Sequence, residues 1–210
     1  MQIINLKDIK NIVFDLGGVI ITLDHARAIE RFKAAGVSRA AEYLDPYHQN
    51  GIFLDLEAGR LTKEEFGEAL RRETGKNISD SAIAHGWLGF LKDVPPQKLA
   101  MLEDLRQRGF RLYLLSNTNP LVMEWALTPD FSPAGKPLDS YFDRMYLSYQ
   151  MKCVKPDLEI FQKMIADSGM KPEETLFVDD GKNNVVAAAQ LGFHTYQPRN
   201  GEDFADLFRF

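Results

Sequence analysis

The chain has 210 residues, a formal net charge of −5 and 45% hydrophobic residues, with acidic and basic side chains interspersed. That excludes the clustered basic face of a nucleic-acid binder, and no apolar run reaches the length needed to span a membrane. A single cysteine, Cys153, excludes an intramolecular disulfide framework and a zinc cysteine cluster. The N-terminus lacks the basic flank and long apolar segment of a signal peptide, so a cytoplasmic location is expected.

The first element is Ile12-Val-Phe-Asp15-Leu-Gly-Gly-Val-Ile20, an apolar run that delivers one carboxylate into a glycine turn. A buried parallel strand reads this way, and ligands bind beyond the carboxyl ends of such strands. Residues 25–93 then carry helical signals and almost nothing strand-like. Among them Thr62-Lys-Glu-Glu65 forms a capping box, with Phe66 and Leu70 following at helical spacing. Pro95-Pro96 closes the segment. A helix over 97–108 places Leu99, Leu102 and Leu105 on one face, and Gly109 stops it. The strand Arg111-Leu-Tyr-Leu-Leu115 comes next, followed by a helix over 119–127 opened by Asn119-Pro120. Thr128 to Pro137, with three prolines and a glycine, reads as a surface loop.

Further strands are expected at Arg144–Ser148, Thr175–Asp179 and His194–Tyr196. Between them, a helix over 157–167 is expected to stack Leu158, Phe161, Met164 and Ile165 inward. Another, over 183–191, is expected to turn Val185, Val186 and Ala189 to the core and to stop at Gly192. Alternating strands and helices of these lengths predict an α/β fold, a parallel sheet covered on both faces. The hundred residues between Asp15 and Ser116 exceed what one crossover requires. The surplus predicts a small helical bundle inserted after the first strand, over the sheet edge where Asp15 emerges. The expected division is 1–22 with 96–210 as the core domain, and 23–95 as a helical cap that shapes and closes the site.

Each strand that points into the crevice ends in polar groups suited to one chemistry. The first gives Asp15; the second gives Ser116-Asn117, a hydroxyl and backbone amides able to bind phosphate oxygens, or simply a helix cap. After the third, Lys155 precedes Pro156, where its ammonium can fold back to the sheet edge or remain solvated. The fourth ends in Asp179-Asp180-Gly181. Adjacent acids there are costly unless a cation or a hydrogen-bond network compensates. Mg²⁺ takes such oxygens, so Asp15 and Asp180 are its natural partners. Cys153 reads as a packing residue with no base beside it.

With these motifs in place, the chain resembles the haloacid dehalogenase (HAD) superfamily of hydrolases. The carriers are the start at Asp15, Ser116-Asn117, Lys155-Pro156, the run from Asp179 to Asn184, and the position of residues 25–93, similar to a C1-type cap. Phe14-Asp-Leu-Gly-Gly-Val19 and Ser116-Asn-Thr-Asn119 look most like the bacterial branch that includes α-D-glucose-1-phosphate phosphatase. The resemblance implies a Rossmann-like core and a Mg²⁺-dependent phosphomonoesterase acting on a small phosphorylated metabolite, such as glucose 1-phosphate. It implies Asp15 as the nucleophile that forms an aspartyl-phosphate. Mg²⁺ would be held by Asp15, the Gly17 backbone carbonyl and Asp180, with Asp179 touching the ion or braced behind its ligands. Ser116, the Asn117 backbone and Lys155 would stabilise the phosphoryl oxygens, and Asn184 would order the metal loop or cap a helix.

One position departs from the pattern. Where the superfamily's phosphatases carry a second aspartate, the general acid, this chain has Gly17. Such an acid is typically worth about 10²–10⁴ in rate. Three readings follow: a phosphatase that uses a good leaving group such as an anomeric oxygen, a dehalogenase, or a weak or inactive protein that binds a phosphorylated ligand or partner. The paired acids 179–180 argue against the dehalogenase. Asp24 or His25, at the expected cap hinge, are candidate substitute acids. Trp87, Phe53, His48 and Arg27 are candidates to contact a sugar; core packing is the alternative for Trp87 and Phe53, and a surface salt bridge for Arg27, which could otherwise meet a phosphate or hydroxyl. No oligomeric state is legible.

Overall fold

A computed structural model describes residues 6–44 and 49–208. The chain runs β1 (Asn11–Phe14), β2 (Thr22–Leu23), α1 (His25–Ala34), α2 (Ala40–Tyr43), α3 (Gly51–Glu57), α4 (Lys63–Thr74), α5 (Asp80–Trp87), β3 (Leu91–Asp93) and α6 (Pro96–Gln107). It continues through β4 (Arg111–Ser116), α7 (Pro120–Ala126), β5 (Arg144–Leu147), α8 (Ser148–Met151), α9 (Leu158–Ser168), β6 (Thr175–Val178), α10 (Lys182–Gln190) and β7 (His194–Tyr196).

Five parallel strands form one sheet in the order β5-β4-β1-β6-β7. Its apolar residues alternate as a strand period of two requires. Ile12, Phe14, Leu112, Leu114, Leu176 and Val178 face one hydrophobic layer. Val13, Tyr113, Leu115 and Phe177 face the other. Burial of a large side chain contributes about 1.5–3 kcal/mol, so this double-sided sheet fixes strand register firmly. Phe14 pairs with Leu114 on one side and Val178 on the other. The next residue, Asp15, is held by its backbone N–H donating to the Val178 carbonyl at 2.8 Å. Register alone therefore sets Asp15 between the ends of β4 and β6.

The helices from α1 to α5 enclose a third apolar cluster. Phe32, Phe53, Phe66 and Trp87 meet there mostly edge to face, with Phe53 5.0 Å from both Phe32 and Phe66. Thr62 caps α4 reciprocally with Glu65, as its sequence predicts. The chain enters and leaves this insertion through the antiparallel pair of β2 and β3, which two- and three-residue strands are too short to announce in sequence.

Two helix faces differ from expectation. In α10, Ala187 and Ala188 are buried while Val186 is half exposed and Ala189 points outward. Small residues permit the closer approach of the helix to the sheet, and that outweighs the larger apolar gain of valine. In α9, Ile160, Phe161 and Met164 face the core and Leu158 is exposed. Leu158 lies in the first turn, before the helix reaches the sheet. Ser148, expected to end a strand, instead begins α8. Among the described residues, no helix is long and apolar enough to cross a membrane.

Candidate active site

A cavity of about 660 Å³ lies beyond the carboxyl ends of β1, β4 and β6, between the sheet and the helical insertion. Asp15, Gly17, Ser116, Asn117, Lys155 and Asp180 all line it. Lys155 is central: its ammonium lies 2.8 Å from Asp15 Oδ1 and donates at 2.6 Å to Asp179 Oδ2 and at 2.8 Å to the Leu115 carbonyl. Its side chain is 1% exposed. Burial works against the ammonium, but the charges of Asp15 and Asp179 outweigh it and hold its pKa above the usual lysine range.

The Asn117 side chain explains how Lys155 reaches that position. Its Oδ1 accepts from the Lys155 backbone N–H at 2.8 Å, and its Nδ2 donates to the Lys155 carbonyl at 2.9 Å. The two loops are thereby locked as one unit. Asn117 braces with its side chain, leaving its backbone to a ligand.

Asp179 and Asp180 are adjacent yet unlike. Asp179 is fully buried, and beyond Lys155 it accepts from the Gly181 N–H at 2.7 Å and from Asn184 Nδ2 at 2.9 Å. Those partners occupy both oxygens, so Asp179 acts from behind the site. Asn184 holds that carboxylate in place. Asp180 instead lies over the glycine turn: a Cβ on Gly18, which has φ +73°, would collide with its carboxylate. Burial raises Asp180 to about 7, with the charges of Asp15 and Asp179 adding to it. Burial likewise raises Asp15 to about 6, opposed by Lys155 and reinforced by Asp179.

These acids fit a divalent cation. Carboxylate oxygens of Asp15, Asp179 and Asp180 lie within 4.8 Å of one another. Asp15 Oδ1 is buried and, despite its ion-pair contact, finds no hydrogen-bond partner among the described residues. An oxygen donor set of this kind suits Mg²⁺, and Asp15, Asp180 and the Gly17 carbonyl are the groups that would hold it. Acids with raised pKa values stabilise the fold when protonated and cost stability as pH rises through those values. Metal-free protein is therefore expected to lose thermal stability as pH rises from 5 to 8, and Mg²⁺ to raise the melting temperature more at pH 8 than at pH 5. Melting curves at both pH values check this; a Mg²⁺ effect independent of pH would mean these acids do not form the site.

The residues expected at the hinge take other roles. Asp24 caps α1, accepting from the Arg27 N–H at 3.0 Å. Arg27 turns to backbone: Nε donates to the Gly89 carbonyl at 2.9 Å and Nη2 to that of Leu91. Neither lines the cavity; Arg27 fastens the two chain crossings together. His25 does line it, its ring 5.6 Å from that of Phe90 and tilted against it. Phe53 belongs to the aromatic cluster, and His48 lies outside the described residues. Trp87 packs in that cluster while bordering the cavity. Cys153 is buried, and burial raises its thiol. Several lining residues were not picked out from the sequence, Gln49 and Gln197 among them, and the acid among these is Glu57 at the end of α3. An acid in the apolar company of Leu56-Glu57-Ala58-Gly59 is the signal that marked it.

The model of a haloacid dehalogenase-like hydrolase matches residues 9–192, which include every lining residue named so far except Gln197. The chain belongs to that family. Among this hydrolase's relatives, the D-ribitol-5-phosphate phosphatase of Bacteroides thetaiotaomicron is 48% identical over 93% of this chain and 95% of its own. A predicted HAD-like family hydrolase from Porphyromonas gingivalis has a structure that superposes with a TM-score of 0.91, at 51% identity, over 96% of this chain and 98% of that one. The HAD family enzyme BT-2542 from Bacteroides thetaiotaomicron, in complex with magnesium and inorganic phosphate, superposes with a TM-score of 0.87 at 43% identity, over 96% of this hydrolase and all of that chain.

Proposed function

We propose that this hydrolase is a Mg²⁺-dependent phosphatase for the phosphate monoester of a small polyhydroxylated alcohol, with Asp15 as its nucleophile. The observation that carries the reading is the Asp15 carboxylate beside the buried Lys155 ammonium in a cavity of about 660 Å³. An Asp15 oxygen attacks phosphorus, the ester bond breaks, and water then releases phosphate from the aspartyl-phosphate. Lys155, the Ser116 hydroxyl and the Asn117 backbone surround the charge on the transferring group, where fixed charges and dipoles contribute most to phosphoryl transfer. Bound Mg²⁺ would supply further neutralisation of that charge. The helical insertion serves as the cap that closes the chamber.

The chamber also suits hydroxyl groups. Besides Asp15 Oδ1, four buried atoms of its lining residues find no hydrogen-bond partner among the described residues: His25 Nε2, Gln49 Oε1, Trp87 Nε1 and Asn119 Nδ2. Asn119 spends its Oδ1 on the cap of α7 and keeps its amide nitrogen free. Buried polar groups left unpaired cost about 1–3 kcal/mol each, so a ligand that pairs them gains selectivity. Indole and amide donors together with an amide acceptor match a chain of hydroxyls, each of which donates and accepts.

The leaving group divides the finer possibilities. Glucose 1-phosphate offers an anomeric oxygen, while the 48% identical relative is named for a substrate whose phosphate sits on a primary alcohol. We favour the polyol 5-phosphate. Phosphate release from D-ribitol 5-phosphate, glucose 1-phosphate, glucose 6-phosphate and p-nitrophenyl phosphate tests this, with Mg²⁺ added. The expected order of kcat/KM puts ribitol 5-phosphate first. Preference for glucose 1-phosphate would return the substrate to the anomeric class, and silence on all four esters would overturn the phosphatase reading.

A further inference from the structure

A primary alkoxide leaves poorly without a proton, and the position two after the nucleophile is Gly17, which has none to give. Among the acids near Asp15, Asp179 is fully engaged by Lys155, Gly181 and Asn184, and Asp180 is placed to hold metal. Asp24 is turned away as a helix cap. One carboxyl remains. We infer that Glu57, carried on α3 of the insertion, is the proton donor and acceptor for the reaction, an inference that rests on the phosphatase reading above.

The geometry holds Glu57 in place over the sheet. It ends α3, is 8% exposed, and lines the same cavity as Asp15 and Lys155. Its backbone carbonyl accepts from Ser148 Oγ at 2.6 Å, and that hydroxyl oxygen also accepts from the Thr118 N–H at 2.9 Å. Two residues on, the Gly59 carbonyl accepts from Lys152 Nζ at 2.5 Å. The backbones touch there so closely that a Cβ on Gly59, at φ +64°, would collide with the Tyr149 carbonyl. The end of α3 is thus fastened to α8 and to the loop that follows Ser116. The seat of the insertion on the core therefore sets where the carboxyl stands. Burial, and next the Asp15 charge, push the Glu57 carboxyl up to about 8 against the pull of Lys155. Both influences favour the protonated form that a proton donor needs.

The steps balance. As an Asp15 oxygen bonds phosphorus and the ester O–P bond breaks, the Glu57 proton passes to the departing oxygen and yields the alcohol. The Glu57 carboxylate then takes a proton from water as the water oxygen bonds phosphorus and the Asp15 O–P bond breaks. Phosphate departs with Glu57 protonated again.

Glu57→Gln keeps size and polarity and removes the proton transfer. The variant is expected to lose about 10²–10⁴-fold in kcat/KM on D-ribitol 5-phosphate. On p-nitrophenyl phosphate, whose anion leaves unaided, kcat/KM should stay near the wild-type value. Its turnover should begin with a burst of nitrophenolate equal to the enzyme present, because water attack then lacks a base. Intact mass should show the trapped phosphoryl group during that burst. Glu57→Asp, which withdraws the carboxyl by one methylene, should show a weaker form of the same split and serves if the glutamine variant does not fold. Equal losses on both esters, or no loss on the alkyl ester, would overturn the inference; so would the split appearing in a His25→Asn variant instead. Wild-type protein inactive on both esters would overturn the phosphatase reading itself, a distinguishable outcome.

Discussion

Asp15→Asn is expected to reduce phosphate release by on the order of 10⁴–10⁶-fold, as loss of a covalent nucleophile does, without lowering the melting temperature. The two halves have one cause. Asp15 is pressed among Asp179 and Asp180, and burial already raises its carboxyl to about 6. An amide of the same shape removes one anion from that crowd, while Lys155 keeps Asp179 as its partner. Folding therefore loses nothing and chemistry loses its attacking oxygen. Steady-state assays on the preferred ester, with thermal melts of metal-free protein, check both halves. Residual activity within tenfold of wild type would mean that another group attacks phosphorus. A large fall in melting temperature would mean that the Asp15–Lys155 contact matters more to the fold than the crowding does.

Lys155→Met is expected to damage both properties. Breaking a buried pair strands the remaining charge, at a cost of about 3–5 kcal/mol. Here one ammonium serves two carboxylates and a carbonyl. Activity should also fall by about 10²–10³, the usual loss when one fixed group that stabilises a transition-state charge is removed. Arginine should not restore either property, because its planar fork needs more room than an ammonium 1% exposed among three oxygens is given. Denaturant melts and kcat on p-nitrophenyl phosphate give the readouts. A methionine variant as stable as wild type would show that the fold does not depend on this ammonium to balance its two carboxyl neighbours.

The strand ends were legible because one rule covers them: an apolar run that stops at a polar residue marks the mouth of a parallel sheet. Asp15, Ser116 and Asp179 follow it directly. Lys155 does not lie on a strand, and its place before Pro156 left open both a fold back to the sheet edge and a solvated surface lysine. What made it reachable is the side chain of Asn117, a tertiary brace that leaves no periodic trace. Glu57 does stand out locally as an acid among apolar neighbours, but its place at the site depends on Ser148, far along the chain. Arg27 was misread because a cation near a hinge suggests an anion, whereas two open carbonyls at the far crossing captured it. The α10 face was misread because ranking residues by hydrophobicity favours valine, and close packing against a sheet favours alanine.

The pairing of β2 with β3 has a wider consequence. Since the polypeptide departs and returns at neighbouring points, everything between them is a detour from the viewpoint of the sheet. The five parallel strands pair only with one another and take no strand from it. The nucleophile and its lysine thus lie on the sheet side, while Glu57 is carried by the insertion. Grafting a different stretch between Leu23 and Leu91 is the natural way to redirect this scaffold to other esters, provided the graft presents an acid where Glu57 stands.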